Sequence, residues 1–118
     1  MSAKFTKTGV GRDGKRGSSM KHFLCKLLPP RPSFSQDMTD GERKVMQKHA
    51  AYWADLAREG VVIVFGPVAD PSGTWGVAIV EAESEEDVRA IGEADPATQS
   101  ELGFSFEAYW MPVAVLRN

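Results

Sequence analysis

The strongest constraint on the fold is a long helix pattern with clear signals at both ends, which runs directly into an apolar strand pattern. Thr39 and Glu42 have the spacing of a capping box, in which the threonine hydroxyl accepts from the third amide and the glutamate bonds back to the cap. Gly60 stands where a left-handed helix stop is typical. We predict a helix over residues 39–59 and a buried strand over the nearly continuous apolar run at residues 61–68.

One side of this helix combines large apolar side chains with a histidine. They recur at intervals of three and four residues and so form one stripe that faces a sheet: Val45, His49, Tyr52, Trp53 and Leu56. A histidine on such a stripe needs a partner, because burial of an unsatisfied polar group is costly. His49 is therefore either a satisfied core histidine or an acid/base group, since imidazole changes its charge near neutral pH.

Apolar runs bounded by proline, glycine and aspartate predict four strands. The runs are residues 22–28, 61–68, 74–82 and 104–117. The proline-rich stretch from Pro29 ends the first run, because proline lacks the amide donor that a strand ladder requires. The turn residues Asp70 to Gly73 join the second and third runs into a hairpin. Pro112, within the fourth run, marks an edge, a bulge or a break.

A second, shorter helix is predicted over residues 84–94. Ser84 and Asp87 repeat the capping spacing, and Asp95 followed by Pro96 ends the helix. The order strand, helix, strand, strand, helix, strand predicts an α+β, ferredoxin-like βαββαβ fold with both helices on one face of an antiparallel sheet. The other face would expose apolar side chains, so we expect a homodimer that covers it.

Charge and composition restrict the partners of the chain. Residues 1–19 have five basic and one acidic side chain and many glycines, so we expect a flexible leader or an upstream extension ahead of the domain at 20–118. The remaining residues have nine basic and fifteen acidic side chains and no basic, aromatic patch, which argues against nucleic acid as a partner. A small molecule is the expected ligand.

Cysteine and histidine usage bears on location and metals. Cys25 is the only cysteine, so an internal disulfide is impossible and a reducing cytoplasm is expected. No apolar run approaches the roughly 18 residues of a membrane span, so we expect no membrane partner. Two histidines and one cysteine without ligand spacing cannot complete a zinc shell, so neither a metal nor another cofactor is expected.

Two carboxylates compete to be the partner of His49. Asp95 lies at a helix end, where a carboxylate opposes the helix dipole, so it either caps locally or is compensated by an imidazolium. Asp70 lies in the hairpin turn, where a turn-forming role competes with a role in the cleft. Tyr52, Trp53 and Trp110 belong either to the core and dimer interface or to a cleft that binds a flat apolar ligand.

Over residues 20–117 the chain resembles the YciI-like family, also described as YCII-related or DGPF-type. The resemblance rests on an ordered set of motifs: His49, Gly60, Val64-Phe65-Gly66-Pro67, Ser84-Glu85-Glu86-Asp87 and Asp95-Pro96. It implies a dimeric α/β barrel of ferredoxin-like protomers with a His–Asp site; at least one relative is an aromatic-ring dehydrochlorinase. The proline-rich loop at residues 29–35 and the aromatic segment at residues 104–110 depart from the smallest members.

Two functions follow as hypotheses. The first is a cofactor-independent proton-transfer enzyme of lyase, isomerase or dehydrochlorinase type, with His49 as base or acid and Asp95 as its partner. The second is a noncatalytic, ligand-binding or regulatory homodimer. A His–carboxylate pair within hydrogen-bond distance beside an open pocket would favour the first, whereas a filled core around His49 would favour the second or a structural role.

Overall fold

The structure, a computed structural model, describes residues 20–117, and the predicted leader at residues 1–19 lies outside these described residues. The elements, in chain order, are β1 (Lys21–Leu28), α1 (Phe34–Asp37), α2 (Asp40–Arg58), β2 (Val62–Val68), β3 (Trp75–Ala82), α3 (Glu85–Glu93), α4 (Pro96–Gln99) and β4 (Ser105–Met111). The four strands form one antiparallel sheet in the order β2-β3-β1-β4. This is the ferredoxin-like arrangement, which confirms the predicted α+β class.

The long helix α2 begins and ends for the local reasons that its sequence indicates. Thr39 Oγ1 accepts from the Glu42 amide at 3.0 Å, and Glu42 Oε1 accepts from the Thr39 amide at 2.9 Å. The capping box is therefore complete. At the other end Gly60 has a φ of +85°, a conformation that residues with a Cβ rarely adopt. The predicted boundaries of this helix hold to within one residue at each end.

The core lies between one face of the sheet and the helices α2 and α3. Alternate residues of β1 point toward the helices and are buried, while the residues between them are less buried. Both helices contribute their apolar stripes to this layer. Its buried members include Phe23, Cys25, Trp53, Leu56, Val80, Val88 and Ile91. The opposite face of the sheet carries no helix in the part of the chain that the structure describes.

Two parts of the structure differ from the sequence prediction. The predicted last strand, residues 104–117, is wrong in extent, because β4 ends at Met111 and residues 113–117 have no regular structure. Pro112 is thus a break, since it removes the amide donor that would continue the ladder. The short helices α1 and α4 were not predicted, because four residues are too few to show a helical periodicity.

Candidate functional site

His49 and Asp95 are hydrogen-bonded, although 46 positions separate them in the sequence. His49 Nδ1 lies 2.9 Å from Asp95 Oδ2 and 3.1 Å from Oδ1. The helix α2 presents the imidazole on its sheet-facing side, and Asp95 lies between the end of α3 and the start of α4. The two helices pack on the same face of the sheet, which is why side chains so distant in sequence meet.

Asp95 is completely buried, yet hydrogen-bond donors surround its carboxylate. The Trp53 indole Nε1–H donates to Oδ2 at 2.8 Å, and the Ala97 amide donates to Oδ1 at 2.8 Å. The second contact makes Asp95 the N-cap of α4, with Pro96 at the first helical position. These donors offset the cost of burying a carboxylate. The capping role and the histidine-orienting role, which the sequence presented as alternatives, are therefore combined in one side chain.

These contacts determine which nitrogen of the neutral His49 ring carries the proton. An indole N–H and a backbone amide can only donate, so the Asp95 carboxylate acts as an acceptor toward all its partners. The bond to His49 is accordingly donated by Nδ1–H, which leaves the lone pair of the ring on Nε2. Among the described residues, Nε2 of His49 has no hydrogen-bond partner. The arrangement produces an oriented imidazole with a free basic nitrogen.

A cavity of about 300 Å³ borders His49, between α2 and the sheet. Four residues of α2 line its upper side: Met46, His49, Ala50 and Trp53. The His49 side chain is 16% exposed, so a small molecule can reach the ring. The volume lies at the lower end of the range of about 300–1,000 Å³ that is usual for small-molecule pockets. The space beside the imidazole is thus large enough for a small ligand.

Small side chains on the central strands leave this cavity open. Gly76 and Ala78 of β3 and Cys25 of β1 form the middle of its floor. A Cβ built on Gly76 would meet only Leu27, at 3.7 Å, so the space above the glycine is unoccupied. Burial raises the pKa of the Cys25 thiol to about 12, so this thiol is neutral. These residues were not predicted from the sequence. The signal that could have indicated them was the pair of small residues at alternate positions of β3.

The other predicted ligand contacts do not all lie at the cavity. Trp53 lines it, but Tyr52 directs its hydroxyl to the Ile91 carbonyl at 2.6 Å, and burial raises the pKa of this phenol. Asp70 accepts from the Ser72 amide and the Trp75 indole within the hairpin turn, contacts that lower its pKa. Trp110, on β4, is 56% exposed and away from the cavity. The structure thus brings Trp53 to both the cavity and the His49–Asp95 pair, whereas Tyr52, Asp70 and Trp110 do not line the cavity.

Two kinds of feature are missing from residues 20–117. No group of three or more histidine, cysteine, aspartate or glutamate side chains there is arranged to hold a metal ion. None of the helices in that range is long and apolar enough to cross a membrane. The cytoplasmic location remains a prediction.

The chain matches a known protein family. A family model described as "YCII-related domain" matches residues 24–110. The matched range runs from β1 to β4, and it includes both members of the His49–Asp95 pair. Neither the curated proteins nor the solved structures include a match to the chain.

Proposed function

We propose that, in this chain, which belongs to the YCII-related domain family, the His49–Asp95 pair is a proton-transfer site. The proposed enzyme is cofactor-independent and of lyase, isomerase or dehydrochlorinase type, and its substrate is a small aromatic or carbonyl-bearing molecule. One observation carries this proposal: Asp95 binds Nδ1 of His49, while Nε2 remains available at the edge of an open cavity. This is the geometry that a general base requires.

The proposed chemistry uses the two ring nitrogens for different tasks. Nε2 accepts a proton from a C–H or O–H bond of the ligand, whose electron pair remains on the ligand. The resulting imidazolium is stabilised by the Asp95 carboxylate, which orients the ring and does not itself take the proton. The imidazolium then returns the proton to a second atom of the ligand in an isomerisation. In an elimination, a leaving group departs with the electron pair of its own bond, and the proton passes to solvent.

The test is a screen for turnover of small aromatic and carbonyl compounds, followed by three variants. We expect His49→Ala and Asp95→Asn each to lower the rate on any substrate found by about 10²–10⁴-fold, the usual contribution of general acid–base catalysis. The matched control is His22→Ala, because His22 Nε2 lies 3.1 Å from Glu81 Oε2 in a second histidine–carboxylate pair. His22 lies outside the cavity lining, so this variant should keep its activity. Equal activity of His49→Ala and the native chain would contradict the proposal.

A noncatalytic ligand-binding protein is the second candidate, and the nature of the cavity favours it. Apart from His49, the side chains that line the space are mostly apolar, and the Cys25 thiol is neutral. Such a lining binds an apolar ligand without any chemical step. Ligand binding without turnover in the native chain, retained in His49→Ala, would support this candidate over the enzyme.

We also infer that the protein is a homodimer that pairs the open faces of two sheets. One row of apolar residues crosses all four strands on this face: Val64, Ile79, Leu24 and Tyr109, each paired with the next. Val64 and Tyr109, at the two ends of the row, are 54% and 53% exposed. An apolar row across a whole sheet is typical of an association surface. The small-molecule cavity lies on the other side of the sheet, so a dimer of this kind leaves the cavity accessible.

A further inference from the structure

The cavity beside His49 offers a ligand no fixed positive charge. Lys26, on β1, is one of the residues that border the cavity. Its ammonium group, however, lies 4.7 Å from the centre of the Trp75 ring. Lys26 alternates with the buried residues Cys25 and Leu27, so its side chain belongs to the sheet face away from the helices. Behind the imidazole, the Asp95 carboxylate adds negative charge. Apart from His49, which is a cation only when its ring is protonated, none of the described residues that line the space directs a cation into it.

Charge therefore discriminates between ligands at this site. A carboxylate or phosphate that enters beside the neutral imidazole would lose hydration without gaining a cationic partner, and the desolvation of an unpaired ion is far more costly than that of a neutral polar group. A cationic ligand would meet the same apolar walls, and the imidazole and the Trp53 indole, which contact the Asp95 carboxylate, keep it from pairing directly with that group. An uncharged molecule avoids both costs, and a carbonyl or hydroxyl group on it can still reach Nε2.

An aromatic wall closes one end of the cavity. Phe34, on the short helix α1, is buried and packs edge-on against Phe104, with ring centres 5.2 Å apart. Both rings line the cavity. Phe34 follows the proline-rich loop, in which Pro30 and Pro32 fit against glycines: a Cβ on Gly103 or Gly73 would come within 2.9 Å of the loop. This close fit limits the positions that the wall can adopt.

Arg31 fixes this wall to the helix that carries His49. Its guanidinium donates to both Glu42 carboxylate oxygens, at 2.9 and 2.8 Å. It also donates to the Asp37 side chain at 2.8 Å and to the Asp37 carbonyl at 2.9 Å. Asp37 ends α1 and Glu42 lies in the first turn of α2, so a single planar cation holds the two helices together. The guanidinium also lies 5.5 Å from the centre of the Phe34 ring.

We propose that the cavity admits uncharged ligands of about one ring, that Phe34 sets the size limit, and that Arg31 acts as a positioning residue by fixing Phe34. This proposal rests on the cavity being the site of the proposed function. It concerns which molecules enter, whereas the His49–Asp95 proposal concerns what happens to them. The two are therefore tested by different measurements.

The charge selectivity is tested with three probes of nearly equal shape: neutral benzamide, anionic benzoate and cationic benzamidine. Methionine methyl groups report binding by NMR, because Met38 and Met46 line the cavity while Met20 and Met111 do not. At pH 8 we expect benzamide to shift the Met38 and Met46 signals alone. Benzoate and benzamidine should bind at least about tenfold more weakly, a difference of about 1.4 kcal/mol. Binding of either ion as tight as that of benzamide, or no shift with any probe, would overturn the proposal.

The size limit is tested with 2-naphthamide, which adds a second ring to benzamide. The native chain should bind 2-naphthamide more weakly than benzamide, and Phe34→Ala should reverse this preference. Phe34→Leu provides a milder enlargement should the alanine variant fail to fold. Arg31→Met should weaken the preference without removing any lining atom, whereas Arg58→Met, at an exposed arginine at the end of α2, should leave it unchanged. An unchanged preference in Phe34→Leu and Arg31→Met would refute the roles of both residues.

Turnover is measured separately from these binding preferences. His49→Ala should lose turnover, whereas its preference for benzamide over benzoate should remain, because the substitution adds no cation to the cavity. If turnover in the native chain is absent but the preferences hold, the enzyme proposal fails and the selectivity proposal stands. If turnover depends on His49 but charged and two-ring substrates react as well as small neutral ones, the selectivity proposal fails and the enzyme proposal stands.

Discussion

At the scale of single residues, the molecule contains two histidine–carboxylate pairs that differ in their surroundings. His22 contacts Glu81, whose side chain is 22% exposed, so solvent competes for both groups. His49 contacts Asp95, which is fully buried and accepts from two further donors. A buried partner with fixed donors holds the imidazole in one orientation, as a base requires. Only this second pair borders the cavity.

A pH prediction concerns Glu42, whose contacts with Arg31 and the Thr39 amide lower its pKa from 4.5 to about 2. Because the pKa is lower in the folded chain, ionised Glu42 stabilises the fold. This contribution is fully present above about pH 4.5 and is lost as the pH falls through about 2. The free energy of unfolding, measured by urea denaturation from pH 6 to 2, should therefore fall with acidification, and less steeply in Glu42→Gln.

The matched control for this pH series is Glu85→Gln. Glu85 pairs with Arg89 on an exposed helix surface, where both side chains are more than half exposed. Such a pair contributes little to stability, so this variant should follow the native pH dependence closely. If Glu42→Gln and the native chain lost stability in parallel, the carboxylate of Glu42 would not be the group responsible.

The sequence predicted the contact between His49 and Asp95 better than the walls of the cavity. His49 could be assigned because a lone imidazole on an apolar helix stripe needs a partner, and Asp95 because a carboxylate at a helix end needs compensation. The cavity depends instead on the small side chains of β3, at Gly76 and Ala78. A small residue in a strand is compatible with many packings, so it does not by itself predict a cavity. Whether Tyr52 faces a ligand or the neighbouring helix likewise depends on packing that no local pattern specifies.

At the scale of elements, the close approach of α3 to β4 yields a prediction. A Cβ built on Gly92 would lie 2.3 Å from two ring carbons of Phe106, so α3 can pack against the strand only because this residue has no side chain. We expect Gly92→Ala to lower the free energy of unfolding by about 1–3 kcal/mol through overpacking. This loss should exceed the gain of about 1 kcal/mol that alanine brings to a helix interior.

Gly41→Ala is the control for this substitution, because its Cβ would meet only the Thr39 hydroxyl oxygen, at 4.0 Å. In that exposed first turn of α2, alanine should be neutral or stabilising when both variants are compared by urea denaturation. A stabilised Gly92→Ala variant would mean that the helix can move away from the strand at little cost. Since Phe106 also lines the cavity, the variant should in addition alter ligand binding.

The elements themselves were predictable where local signals were strong. Both long helices have a capping residue whose side chain accepts from the third amide, and the hairpin between β2 and β3 has its expected turn. The end of β4 was not predictable from its apolar composition, because residues 113–116 remain apolar after Pro112 breaks the strand. An apolar run alone does not show whether the segment pairs with a neighbouring strand.

At the scale of the whole molecule, we propose different roles for the two faces of the sheet. The helix-covered face contains the core and the cavity, and the open face carries the row from Val64 to Tyr109 that we propose to be a dimer interface. A standard interface buries about 800 Å² per partner. At about 25 cal/mol per Å², the gross gain is of the order of tens of kcal/mol, above the association cost of about 4–15 kcal/mol.

The dimer proposal predicts that one charge at the end of this row weakens association. Val64 lies on the edge strand β2 and is half exposed, so Val64→Lys should leave the protomer folded while it places an unpaired ammonium in the interface. Sedimentation at micromolar concentration should show a dimer for the native chain and a shift toward monomer for the variant. Leu102→Lys serves as the control, because Leu102 is exposed to a similar extent, at 43%, but lies outside the sheet. A native chain that sediments as a monomer, or a Val64→Lys variant that remains as fully dimeric as Leu102→Lys, would exclude this face as the interface.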